Sequence, residues 1–181
     1  MWKNSENRWG WVNIIIHWLT ALVVFGLFGL GLWMVDLTYY DQWYKSAPDL
    51  HKSVGVSLLL LTLFRLLWRK LNIVPVHLQT HTGFEIKVAS ITHKLLYLLM
   101  FLIMISGYLI STADGRGIDV FGLFEVPALI YDIDKQEDIA GLVHMVLAFT
   151  LISLVLVHMV GALKHHFIDK DSTLKRMLGI Y

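Results

Sequence analysis

The chain has 181 residues, 56% of them hydrophobic, a mean hydropathy of +0.61 and a formal net charge of +1. So high an apolar fraction points to a membrane protein, and the near-neutral balance argues against a nucleic-acid or acidic partner recruited by bulk charge. There is no cysteine, which excludes disulfides, thiolate catalysis and iron–sulfur ligation by this chain.

The N-terminal stretch MWKNSENRWGWVNIIIHW runs into an apolar segment without a small-residue cleavage site, so it reads as a retained span rather than a signal peptide. A bilayer core takes about 20 apolar helical residues. Gly10 to Val35 has no Asp, Glu, Lys or Arg, which predicts a first span at 12–35, with His17 near its start. The 36–49 segment carries three Asp and one Lys and reads as a loop. The second span, 50–69, opens on His51 and continues through Arg65 into Leu66, Leu67 and Trp68. The third, 87–112, contains His93 and is free of charge from Leu95 to Ala113. The 113–138 loop has seven acids against Arg116 and Lys135. The fourth span, 139–164, contains GLVHMVLAFTLISLVLVHMVG, an uncharged run bearing His144 and His158. No linker, repeat or low-complexity tract interrupts the chain. The expected fold is one all-α domain over 1–181, an integral membrane four-helix bundle.

Charge orients it. Lys3, Arg8, Arg65, Arg69, Lys70, Lys87, Lys94, Lys164, Lys170, Lys175 and Arg176 gather at one set of helix ends, and the acidic loops lie at the other. The positive-inside rule puts both termini and the 70–86 loop in the cytoplasm.

Alternating spans give each histidine a depth. His144 and His158 are fourteen residues apart, close to four helical turns, about 21 Å of rise with an offset of about 40°. They project from one face at two levels. His51 shares the outer level with His144, and His17 and His93 share the inner level with His158. Ionisable groups inside a span are costly and point to function. Two imidazoles at one depth can supply both axial ligands of a haem iron, and a bundle core between facing helices can hold haem. A lone intramembrane histidine also serves as an interhelical hydrogen-bonding residue or a proton relay. Zinc sites usually recruit Cys or carboxylates and three or four ligands, and the span interiors offer neither residue type.

The spacing of fourteen recurs from His17 to Gly31, from His51 to Arg65 and from His93 to Gly107. Glycine lets a flat ring approach the backbone, and Gly55 and Gly161 suit such packing too, although close helix contacts use the same residue. Arg65 falls at the inner level, where it can pair with a haem propionate or snorkel to the interface.

At these residues the chain resembles the bacterial cytochrome b561 family of di-haem inner-membrane proteins. The matching pieces are IIIHWLTA around His17, LHKSVGVSLLLLTLFRLLWR from His51 through Arg65, THKLLYLLMF around His93, GRGIDVFGLFEVP in the acidic loop and GLVHMVLAFTLISLVLVHMVGALKHHFIDKDSTLKRM at the end. The resemblance covers nearly the whole chain. It implies two haems b with His17, His51, His144 and His158 as the iron ligands, and a multi-pass protein of the bacterial inner membrane. It also implies electron exchange with ubiquinone and, for one branch, oxidation of superoxide, a superoxide:ubiquinone oxidoreductase activity. Quinone would dock near the inner level, by His93, His165 or His166. Acidic outer loops collect an anion poorly; Lys52 and Arg116 are the local cations that would serve superoxide. The alternative function is a cytochrome b subunit or membrane anchor for a partner dehydrogenase or periplasmic redox protein. A non-haem transporter fits four short spans and paired histidines less well.

Overall fold

The computed structural model describes residues 1–180. The elements are α1 (Trp11–Met34), α2 (Ser46–Leu71), α3 (Gly83–Ser111), β1 (Ile118–Val120), β2 (Phe124–Val126), α4 (Gln136–Phe167) and α5 (Thr173–Met177). Helices α1 to α4 are each long and apolar enough to cross a membrane. Large apolar side chains stand open along them, Leu22 at 70% and Val160 at 64% exposure among them. In water that would be costly; against acyl chains it is the expected surface.

Three helices begin before the expected spans. α3 starts at Gly83 rather than 87 because Thr82 and Glu85 form a capping box: the Thr82 amide donates to Glu85 Oε2 at 2.9 Å and the Glu85 amide to Thr82 Oγ1 at 3.3 Å. α2 starts at Ser46 rather than 50, and Pro48 fits its first turn, where a missing N–H costs nothing. α4 starts at Gln136 rather than 139 and runs on to Phe167; Glu137 and Asp138 open it, and Lys164, His165 and His166 close it, complementing the helix dipole at both ends.

The chain divides into two compact units, and each takes a length of all four long helices. The first unit comprises Met1–Ala21, Leu61–Leu98 and the chain from Ser153 onward. Asn4 is its hub at the N-terminus. The Asn4 amide donates to the Ile73 carbonyl at 2.6 Å, and its Oδ1 accepts from the Gly10 amide at 2.9 Å and from Asn13 Nδ2 at 2.6 Å. The Val76 amide donates to the Glu6 carbonyl, and Trp18 Nε1 donates to the Met177 carbonyl at 2.8 Å.

The second unit comprises Leu22–Leu60 and Leu99–Ile152. Phe28 and Phe149 meet edge to face in it, ring centroids 5.4 Å apart. The acidic loop is ordered here by the unexpected hairpin β1–β2, antiparallel with Val120 opposite Phe124. Its turn places Phe121 and Gly122 at positive φ, a conformation glycine adopts freely. Ile118 and Val120 point inward. Ser53 docks the hairpin onto α2: its hydroxyl donates to the Asp119 carbonyl and accepts from the Phe121 amide, both at 3.2 Å. Tyr108 on α3 donates to the Pro127 carbonyl at 2.9 Å and accepts from the Leu129 amide at 2.7 Å.

Candidate functional site

In the first unit the rings of His17 on α1 and His158 on α4 have centroids 6.3 Å apart. His93 on α3 lies nearer to His158, at 5.2 Å. Arg65 on α2 donates from its NH2 to His17 Nδ1 at 3.0 Å and lies 5.5 Å from the centre of the Tyr97 ring. All three inner histidines and Arg65 therefore converge, each partly buried.

In the second unit the centroids of His51 on α2 and His144 on α4 are 6.1 Å apart. His144 Nδ1 is 3.0 Å from the Ile103 carbonyl and 3.1 Å from Ser106 Oγ. A carbonyl only accepts, so the proton sits on Nδ1 and the Nε2 lone pair is left for another partner. His51 Nδ1 is buried without a hydrogen-bond partner. The two glycines at the fourteen-residue offsets face these imidazoles. A Cβ on Gly31 would stand 3.4 Å from His51 Cε1, and one on Gly107 3.1 Å from His144 Cε1. A Cβ on Gly55 or Gly161 would meet nothing within 4 Å.

Two cations at the second unit were candidates for attracting an anion. Lys52 is paired with Asp49 at 2.7 Å, one helical turn before it. Arg116 is paired with Asp114, and that hydrogen bond holds the Asp114 carboxyl below the usual carboxylate range. At the end of the first unit, His165 lies beside Asp169 and Asp171.

A profile of the family described as prokaryotic cytochrome b561 matches residues 8–179. The chain is a member of that family. Cytochrome b561 homolog 2 of Escherichia coli is 51% identical over 97% of this chain and 94% of its own length. The probable superoxide oxidase CybB of Yersinia pestis is 27% identical over 96% of this chain and 97% of its own. Cytochrome b561 homolog 1 of Escherichia coli is 25% identical, covering 95% and 97%. As a cytochrome b561 this is an electron-transfer protein of a bacterial membrane, and the family implies haem b.

The residues present fit that group. Each pair would offer imidazole nitrogens to one haem iron. The ring centroids of His17 and His158 stand 6.3 Å apart, those of His51 and His144 6.1 Å and those of His93 and His158 5.2 Å, so each level has imidazoles near enough to share one iron. His144 meets a further requirement of a ligating histidine, a fixed tautomer held by a hydrogen bond at the other nitrogen. At His17, Arg65 donates to Nδ1 at 3.0 Å, which puts the His17 proton on Nε2; a ligand role through Nε2 would need the opposite tautomer and another acceptor for Arg65. Sequence spacing alone did not reveal the roles of Ile103 and Ser106, since a backbone carbonyl leaves no mark in composition.

Proposed function

We propose that this cytochrome b561 holds two haems b, one between His17 and His158 and one between His51 and His144. It passes single electrons across the bilayer between ubiquinone and a donor at the opposite face. The observation that carries the reading is the pair of imidazole separations, 6.3 and 6.1 Å. Haem supplies a one-electron iron couple whose potential follows axial ligation, burial and hydrogen bonding.

The chain's own side chains do the rest. His144 offers Nε2 in an orientation fixed by Ile103 and Ser106. Arg65, now on His17 Nδ1, would pair with a haem propionate, a charge-assisted contact, and so free His17 Nδ1. With His17 and His158 holding one haem and His51 and His144 the other, neither iron would have an open position for oxygen, and the donor would give up its electron without binding the iron. The positive-inside pattern supports cytoplasmic termini and a cytoplasmic 70–86 loop. Quinone then meets the unit of His17 and His158, near His93, and the donor meets the unit of His51 and His144.

The donor is superoxide or a periplasmic redox protein. The resemblance to a probable superoxide oxidase supports the first. The pairing of Lys52 and Arg116 with acids favours the second, a protein with a basic face, because steering of an anion needs a locally positive field. Rapid mixing of the purified protein with superoxide, with and without ubiquinone, tests the reading. Reduction of both haems followed by reoxidation by quinone is expected. One haem per chain by pyridine haemochrome would overturn the two-site assignment, and a parent protein inert to superoxide would leave the redox-protein donor.

A further inference from the structure

Away from both histidine pairs, the first unit gathers a second set of ligand atoms. His81 precedes α3, His165 lies in the last turn of α4, and Asp171 sits between α4 and α5. His81 Nε2 is 3.2 Å from Asp171 Oδ2, and His165 Nδ1 is 3.5 Å from the same oxygen. The two imidazole centroids are 4.5 Å apart. In a tetrahedral site with bonds of about 2.0–2.1 Å, neighbouring donor atoms stand about 3.3 Å apart. We propose that His81, His165 and Asp171 form a binding site for a divalent first-row transition metal ion, distinct from the haem sites.

Three observations support it. The Asp171 side chain is 3% exposed and pre-aimed: Oδ1 accepts the Thr173 amide at 2.8 Å, while Thr80 Oγ1 donates to Oδ2 at 3.1 Å. Such outer hydrogen bonds orient a ligating carboxylate. His165 Nδ1 is buried and lies 2.7 Å from Asp169 Oδ2, yet makes an aligned hydrogen bond to neither aspartate. At His165, close approach without proton-sharing geometry suits atoms converging on a cation; at His81, Nε2 hydrogen-bonds Asp171 Oδ2 at 3.2 Å and Thr173 Oγ1 at 3.0 Å, contacts that a bound metal would replace. Charge points the same way. The carboxylates of this region are Asp171, Asp169 and Glu85, and the one ammonium, Lys164, pairs with the last two. With neutral imidazoles that leaves two negative charges, the complement of a divalent ion.

Glu85, His165 and Asp169 also converge, but the Lys164 ammonium already lies against both carboxylates there. The His81 set takes its carboxylate from Asp171, which neither of the two Lys164 ion pairs uses. Two imidazoles and one carboxylate select zinc and its neighbours over magnesium, which prefers oxygen donors in octahedral geometry. Binding would join the 78–82 segment to the end of α4 and the start of α5.

The test uses full-length, haem-loaded protein in nanodiscs, its affinity tag removed, titrated with zinc chloride by calorimetry. One zinc per chain is expected, unaffected by excess magnesium, with imidazole scattering in its X-ray absorption spectrum. His81→Ala and Asp171→Asn should each weaken binding at least about tenfold. If Asp171→Asn loses the parent haem spectrum, His81→Gln carries the comparison. Absence of binding, displacement by magnesium, an all-oxygen shell, or equal affinity in the variants overturns the proposal.

Discussion

Gly107 faces the ring of His144 so closely that a Cβ there would stand 3.1 Å from Cε1 and 3.4 Å from Nδ1. The imidazole cannot easily retreat, because Nδ1 is tied to the Ile103 carbonyl at 3.0 Å. Gly107→Ala should therefore displace the His144 ring and cost about 1–3 kcal/mol, the range for overpacking. The corresponding contact at Gly31 is 3.4 Å from His51 Cε1, ordinary van der Waals distance. Gly31→Ala should keep the parent haem spectrum while Gly107→Ala broadens or loses one component. Identical spectra for the two variants would count against this difference in packing.

Ligand variants separate the two units. His51→Ala or His144→Ala should remove one haem and spare much of the other's signal; His17→Ala or His158→Ala should do the reverse. His93→Ala should retain both, since the proposed ligands do not include it. Haem counts by pyridine haemochrome and redox titration of each variant check this. Loss of a haem in His93→Ala with retention in His17→Ala would move the ligand to α3.

Arg65 should tune the potential in its unit. Its positive charge disfavours the oxidised iron, so Arg65→Leu should lower that haem's potential and weaken its retention, and Arg65→Lys should recover the potential in part. Potentiometric titration with optical detection reads both effects. An unmoved potential would assign Arg65 to packing against Tyr97 alone.

Ser53→Ala should loosen the hairpin. The change removes the donor to the Asp119 carbonyl and the acceptor of the Phe121 amide, at about 1–3 kcal/mol for groups left unsatisfied. Hydrogen exchange at Phe121 should accelerate, and haem content should fall less than in His51→Ala. Unchanged exchange would mean that Tyr108 and the loop's other bonds suffice.

The four long helices were readable because charge-free runs of bilayer length are hard to mistake, and the fourteen-residue recurrence singled out both histidine levels. The finer features were legible only in part. Thr82 and Glu85 spell a capping box, and reading it would have moved the start of α3 to Gly83. Spacing leaves His17 and His93 level, because the rings of both lie near His158, at 6.3 and 5.2 Å between centroids. The hairpin strands are three residues each, too short for alternation to signal them. His81 and Asp171 are ninety residues apart, so no local pattern announces their meeting.

Each imidazole pair joins α4 to an earlier helix, α1 through His17 and α2 through His51. The ribosome makes α4 last among the long helices. A nascent chain that has reached residue 135 thus has one member of each pair and neither pair complete. With the proposed ligands, cofactor loading would follow translation of nearly the entire polypeptide, and a chain truncated before α4 should leave the translocon colourless.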